Sequence, residues 1–275
     1  MNPHAPQPTS LIALAHSLWS HRQLILQMTR REVVGRYRGS VMGLLWSFLN
    51  PVLMLVVYTF VFSVVFNARW GVGNETRTQF AVVLFAGMIV HGLFAEVLNR
   101  APALILTNVN FVKKVIFPLE ILTVISMGAA LFHASISLVV LLAGYALLNG
   151  YLHWTAILVP LVLLPLSVLA VGVAWILASL GVFVRDIGQV VGALTTVLLF
   201  LSPVFFPVSA LPPFLQPWMM LNPLTFIIEQ ARSVLIWGHL PDWTGLLAYQ
   251  AGAIVIAWLG FFWFQKTRKG FADVL

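Results

Sequence analysis

Long apolar stretches separated by short charged segments run through the whole chain, and no other feature restricts its fold as strongly. A helix that crosses a bilayer needs about 20 mostly apolar residues, each rising about 1.5 Å. Six stretches meet this requirement: 41–66, 80–98, 120–148, 155–183, 187–206 and 246–264. The chain is 60% hydrophobic and 8% charged, so a water-soluble fold would expose large apolar patches. The sequence predicts an all-α integral membrane protein with six transmembrane helices.

Lysine and arginine are concentrated in the segments on one side of this predicted bundle. The N-terminal segment, the second-to-third and fourth-to-fifth connections and the C-terminal tail carry most of the 15 basic residues. The positive-inside rule therefore places both termini of this multi-pass membrane protein in the cytoplasm. Anionic lipid headgroups also explain the net charge of +7, so we predict no nucleic-acid partner.

Residues 11–40 predict an amphipathic helix that lies in the cytoplasmic interface, before the six-helix region 41–265. Polar residues recur there at helical spacing, with apolar residues between them. We expect lipid headgroups to contact four arginines that could also guard substrate entry: Arg30, Arg31, Arg36 and Arg38. A simple topological anchor is the alternative for this basic segment. We predict a disordered tail at 1–10 and a cytoplasmic tail at 266–275.

Six prolines lie between residues 202 and 223, and they exclude a continuous helix there. Broken backbone at membrane depth needs protein or a water-filled cavity to satisfy its polar groups. The stretch therefore predicts short periplasmic re-entrant helices before the last span, lining or closing an exit path. A plain extracellular loop is the alternative, although the residues between the prolines are very apolar for one.

Several blocks of sequence resemble one family along nearly the whole chain. They are RRE, RYRGSVMGLLW and LNP near the start, NVNFVKKVIFPLEIL at 108–122, GVFVRDIGQVV at 181–191, SPVFFPVSALPPFLQPWMMLNPLTFIIEQAR at 202–232, and KGFADVL at 269–275. The chain resembles bacterial ATP-binding-cassette permeases of the type 2 export class, in the branch that moves O-antigen, teichoic acid and other lipid-linked polysaccharides. The resemblance implies a homodimer in the bacterial cytoplasmic (inner) membrane that works with two copies of a cassette ATPase.

The segment 108–117 has a small apolar face beside two lysines. Its composition alone is also that of an ordinary interfacial loop helix. The resemblance implies a cytoplasmic coupling helix that docks on the ATPase, formed by Asn108, Phe111, Val112, Lys113 and Lys114. The chain has no G-x-x-x-x-G-K-[ST] phosphate-binding loop. We therefore predict that it binds no cofactor and that ATP and magnesium belong to the partner subunit.

Aromatic residues near the first and fifth spans are candidates for the wall of a polysaccharide conduit. Sugar rings have apolar faces that stack on aromatic side chains. The candidate conduit residues are Trp46, Tyr58, Phe62, Phe66, Phe200 and Phe205. Each of them could equally face lipid or pack against a neighbouring helix.

Ionisable residues inside the predicted spans also need partners, because a charge at the bilayer centre is costly. We expect Glu96 to pair with Arg100 at i, i+4, with Arg185 and Lys113 as alternative partners, and Glu229 to pair with Arg232 at i, i+3. Small residues four apart, at Gly35, Gly39 and Gly43 and again at Gly188 and Gly192, predict close helix packing or, for the first set, a tight bend.

Two other classes of function remain open at this stage. One is a permease of the same class that moves a lipid or a drug. The other is a membrane-embedded glycosyltransferase or acyltransferase, which needs a carboxylate pair or a positioned histidine. Aspartate occurs only at 186, 242 and 273, with no two close in sequence. We therefore predict no catalytic residue and no metal site, and a transport protein rather than an enzyme.

Overall fold

The computed structural model describes residues 9–65, 77–113 and 117–275. This described part contains twelve α-helices: α1 Leu11–Ser20, α2 Arg22–Arg36, α3 Leu45–Tyr58, α4 Arg77–Arg100, α5 Val109–Lys113, α6 Ile121–Asn149, α7 Val159–Phe183, α8 Ile187–Phe200, α9 Gln216–Met219, α10 Pro223–Leu235, α11 Trp243–Thr267 and α12 Phe271–Val274. A π-helical turn, Thr59–Val65, extends α3.

Five helical segments of the described chain are long and apolar enough to cross a membrane: Leu45–Phe62, Phe80–Ala103, Ile121–Asn149, Trp154–Phe183 and Trp243–Val274. They correspond to the first four predicted spans and the last one. The all-α membrane fold predicted from hydrophobic run length is therefore confirmed.

The fifth predicted span, 187–206, is shorter than predicted. Helix α8 ends at Phe200 after 14 residues, which rise about 21 Å, whereas the hydrocarbon core is about 30 Å thick. Apolar composition continues to Phe206, but Pro203 and Pro207 cannot donate the backbone hydrogen bonds that would extend the helix. The chain instead turns, with the Val204 amide donating to the Ser202 carbonyl at 2.7 Å. Hydropathy therefore overestimated the length of the helix.

Short helices follow this break, as predicted for the proline-rich stretch. A 3₁₀ turn, Val208–Ala210, precedes α9, and Pro217 lies in the first turn of that helix. The Asn222 side chain caps α10 by accepting from the Leu224 amide at 2.9 Å. We call residues 201–222 the hairpin. The end of the bundle that carries them is the hairpin face, and the opposite end, with α1, α2, α5 and α12, is the terminal face.

The N-terminal segment forms two helices, α1 and α2, which meet at His21. Gly39 and Gly43 have φ of 86° and 53°, a left-handed conformation that glycine adopts without steric cost. A Cβ built on either glycine would meet no atom within 4 Å. Of the two interpretations left open for these glycines, the structure favours the tight bend that leads from α2 into α3.

Helix α4 lies at the centre of the bundle, and its residues 80–86 are all buried. Helix α8 packs on it through Thr195, whose carbonyl lies 3.0 Å from His91 Nε2 and whose hydroxyl donates to Asn99. Helices α7 and α11 approach each other closely, since a Cβ on Gly260 would lie 2.0 Å from the Gly172 carbonyl oxygen. These two helices can pack together only because both positions are glycine.

Candidate functional site

A cavity of ≈ 260 Å³, which we call the central cavity, lies between α2, α3, α4 and α6. Arg36, Glu96 and His133 form its polar end, and Tyr58 and Phe85 line an aromatic part of its wall. A second cavity of ≈ 630 Å³ is bounded by α2 and α4, and Arg36 and Glu96 line this one too. The Arg36–Glu96 pair therefore lies where the two cavities meet.

Five side chains, which we call the polar cluster, join α2 to α4 and α6: Glu32, Arg36, Glu96, Arg100 and His133. Glu96 Oε1 lies 2.5 Å from Arg36 Nη1, 2.9 Å from His133 Nδ1 and 3.8 Å from Arg100 Nη1. Arg100 also pairs with Glu32. Burial raises the pKa of the Glu32 carboxyl, and the charge of Arg100 opposes that rise. Ion pairs from Glu32 and Arg36 therefore hold α2 to α4, and moving α2 would break them.

Of the four predicted gate arginines, only Arg36 lines the central cavity. Arg30, Arg31 and Arg38 are exposed on the terminal face, and no ion pair within the described residues involves them. Their positions are open to solvent or lipid headgroups. Their role at a gate stays a prediction.

Four of the six predicted conduit aromatics lie in one contiguous row, which we call the aromatic row. Tyr58 and Phe62 have ring centroids 6.5 Å apart, Phe62 and Phe205 6.4 Å, and Phe205 and Phe200 5.6 Å. The row leads from the central cavity towards the hairpin face, and Phe200 at its end is 61% exposed. Trp46 lies at the other end of α3 and is 41% exposed, and Phe66 lies outside the described residues.

The predicted coupling segment forms a short helix on the terminal face. The Asn108 amide donates to the Leu104 carbonyl at 2.8 Å, and the Phe111 ring stacks on Phe117 at a centroid distance of 4.4 Å. Val112 packs against the core at this end of the bundle. Lys113 is the last residue of α5, and Lys114 lies outside the described residues.

Glu120 joins three other parts of the terminal face directly behind the coupling segment. Its carboxylate accepts from Ser17 of α1 at 2.8 Å and from Arg268, near the C terminus, at 3.0 Å. Its backbone carbonyl accepts from the Trp175 indole at 2.9 Å. Arg268 also donates to the Phe117 carbonyl at 2.8 Å. The hydrophobic pattern predicts Glu120 only as the start of a span, although an acidic residue that opens an apolar run signals a need for a partner.

Arg232 is a second residue whose environment does not follow from the sequence. Its predicted partner is present, because Glu229 Oε1 lies 3.0 Å from Nη1. The arginine is nevertheless 0% exposed and lies in the core rather than in a loop. It also donates to three backbone carbonyls, those of Val83, Pro203 and Val204.

Comparison with known proteins identifies the family of this bundle. The model of the ABC-2 type transporter family matches residues 23–236. The chain belongs to the ABC-2 type transporter family. The match covers α2 to α10, and thus the polar cluster, the aromatic row and the hairpin of this ABC-2 transporter.

Curated relatives of this ABC-2 transporter match it along almost their full length. The O-antigen export system permease protein RfbA of Myxococcus xanthus is 29% identical over 265 residues, which cover 96% of this chain and 99% of that protein. An RfbA of Klebsiella pneumoniae is 24% identical, with the same two coverages. The polysialic acid transport protein KpsM of Escherichia coli is 22% identical, covering 84% of this chain and 88% of its own.

Proposed function

We propose that this ABC-2 transporter is the transmembrane subunit of an ATP-driven exporter. Its cargo is a lipid-linked polysaccharide of the O-antigen, capsule or teichoic acid type, which crosses the bacterial cytoplasmic membrane. The observation that carries this proposal is the end-to-end match with relatives named as O-antigen export permeases. Relatives named for polysialic acid and capsule polysaccharide transport support the same class of cargo.

The aromatic row supports a sugar polymer as cargo. Four stacked or tilted rings give successive apolar surfaces about one ring apart, and aromatic rings provide large, rigid contact area for apolar faces. Each sugar unit of a polysaccharide has an apolar face, so successive units can contact the same row as the chain moves along it. We assign the row to the wall of the path.

The energy comes from a separate polypeptide, in a complex of two permeases and two cassette ATPases. The chain lacks the phosphate-binding loop that would cradle a nucleotide. The terminal face bears α5, whose Phe111 and Val112 are only partly buried, as a helix that docks in a groove requires. Glu120 connects that segment to α1 and to the C terminus, so that movement of α5 would reach the N-terminal helices.

The orientation follows from the distribution of basic residues. The terminal face carries most of the arginines and lysines, and we place it in the cytoplasm with both termini. Lipid headgroups then surround Arg30, Arg31 and Arg38, and substrate enters beside α2. The hairpin lies on the periplasmic side, where the aromatic row ends.

A deletion strain tests this function. Removing the gene is expected to abolish the polysaccharide on the cell surface while its lipid-linked form accumulates inside, because synthesis continues without export. Complementation with the unaltered chain restores export, and complementation with Phe205→Ala, which interrupts the aromatic row, restores it incompletely.

Other outcomes of the same experiment favour the competing functions. Loss of the lipid-linked polymer inside the cell would indicate a transferase rather than an exporter. If the surface polysaccharide is unchanged and efflux of a lipid or drug is lost, the cargo is that lipid or drug.

A further inference from the structure

Arg232 is the most fully buried charged side chain among the described residues, with 0% exposure. Its Nε donates to the Val83 carbonyl at 3.0 Å, Nη1 to Pro203 at 2.6 Å, and Nη2 to Val204 at 3.0 Å. Glu229 supplies the counter-charge. One side chain of α10 therefore connects α4 with the break that follows α8.

The break creates two of these acceptors. The carbonyls of Pro203 and Val204 follow the end of α8 and lie outside any helix. Buried carbonyls without donors are costly. The planar guanidinium presents several donors in a fixed fork and satisfies both of them together with Val83. A lysine ammonium cannot reproduce this geometry.

Gly87 makes the room that this arrangement needs. A Cβ at this position of α4 would lie 2.8 Å from Arg232 Nη2 and 3.4 Å from the Val204 Cα atom. The guanidinium and the broken backbone thus approach α4 where it has no side chain. A side chain at position 87 would therefore displace either Arg232 or the backbone of the break.

The hairpin differs in burial on the two sides of Pro207. Ser202 and Val204 are 0% exposed. Beyond Pro207, the apolar side chains of Phe214, Trp218 and Leu221 are 71%, 69% and 73% exposed. Residues 202–204 at the base of the hairpin are therefore part of the core, whereas these three side chains of the outer limb have few contacts to break.

We infer that Arg232 is a positioning residue that fixes the base of the hairpin to α4, and that the hairpin's movable part begins after Pro207. The contact with α4 stands on the geometry alone. The movement of the outer limb during transport rests on the proposed function. Opening on the hairpin face then displaces the outer limb while residues 202–204 stay in place.

Single cysteines test this inference without background, since the natural chain has none. Val204→Cys and Trp218→Cys are made separately in the full complex with its ATPase and exposed to a thiol reagent, with and without ATP. We expect a cysteine at 204 to stay protected in both states. A cysteine at 218 should react in both, at a rate that changes with ATP. Labelling at 204 on ATP addition, or an unchanged rate at 218, would overturn the division at Pro207.

A second experiment changes the residues of the contact between Arg232 and α4. In the Val204→Cys background, Arg232→Gln is expected to raise the labelling rate about tenfold or more, because buried carbonyls lose their donors. Arg232→Lys keeps the charge without the fork and should give a smaller rise. Gly87→Ala should also raise the labelling rate of the cysteine at position 204, although the arginine is kept. This variant replaces Arg232→Gln in the test if the complex with Arg232→Gln does not assemble.

The matched control is Gly252→Ala in α11, where an added Cβ meets nothing within 4 Å. It should leave the protection of position 204 unchanged. Full protection in both Arg232→Gln and Gly87→Ala would refute the role of Arg232. If the deletion strain exports polysaccharide normally but the labelling pattern holds, the proposed function fails and the positioning role stands.

Discussion

Charged side chains inside this bundle are held by partners from distant helices. Glu96 of α4 binds Arg36 of α2 and His133 of α6. Glu120 binds Arg268, 148 residues further along the chain. Each such group must find a partner because an isolated charge in an apolar interior is costly. At the residue scale, ion pairs therefore fix which helices are neighbours, and removing one partner leaves the other charge buried.

The first prediction concerns the polar cluster. Glu96→Gln should lower the free energy of unfolding of the purified complex by about 2 kcal/mol. The substitution removes the largely buried carboxylate that two arginines and a histidine share as an acceptor. Arg36→Gln should cost less, about 0–1 kcal/mol, since the Arg36 side chain is 52% exposed. Thermal unfolding in detergent measures both, with Arg38→Gln as the unpaired control. An equal loss in that control would show that the effect is general charge loss.

The need for these partners was predictable from the sequence, but most of their identities were not. Spacing along one helix suggested Arg100 for Glu96, and that contact exists at 3.8 Å. The shorter contacts come from Arg36 and His133, which reach Glu96 only after three helices pack together. The pair Glu229–Arg232 was predicted too, but its burial depends on carbonyls from two other elements.

At the scale of elements, hydrophobic run length predicts helices well and their ends poorly. The first four spans and the last one follow from composition because every backbone group in a bilayer must be satisfied internally. The end of α8 depends instead on Pro203 and on the donors of Arg232, which composition does not reveal. Sequence spacing also suggested close packing at Gly188 and Gly192, whereas a Cβ built at either position meets no described atom closer than 4.0 Å, and Gly172 and Gly260 approach closely instead. Gly172 and Gly260 lie on different helices, so no spacing within one helix indicates that they meet.

The second prediction concerns this approach of α7 and α11. Gly260→Ala should destabilise the protein by about 1–3 kcal/mol, because its Cβ would lie 2.0 Å from the Gly172 carbonyl oxygen and the helices must move apart. Gly252→Ala, in the same helix and without a neighbour, should be neutral or stabilise by up to about 1 kcal/mol. Thermal unfolding of the two variants distinguishes steric overlap from helix propensity. A loss of stability in Gly252→Ala as large as in Gly260→Ala would contradict this explanation.

At the scale of the whole molecule, the two faces carry different chemistry. The terminal face combines basic residues, the partly buried α5 and the Glu120 contacts, while the hairpin face carries exposed apolar residues and the end of the aromatic row. The sequence predicted this division from charge and proline content. It could not predict that Phe205, beyond a break in the chain, would join Tyr58 and Phe62 of the first span, because that contact depends on tertiary packing.

The third prediction concerns the orientation of these faces. A membrane-impermeant thiol reagent should label Trp218→Cys in intact cells, and it should label Ser20→Cys only after the cells are permeabilised. Ser20 is exposed at the end of α1, so a protected thiol there reports the membrane rather than burial. Labelling of Ser20→Cys from outside would reverse the proposed topology.

The glycine contact between α7 and α11 also has a consequence for biosynthesis. Helix α11 leaves the ribosome after the other described spanning segments, about 60 residues after α7 ends. Until it inserts, the surface of α7 around Gly172 faces lipid with a backbone carbonyl uncovered by any side chain. A chain that stops before Trp243 therefore leaves the surface of α7 around Gly172 without the helix that packs on it.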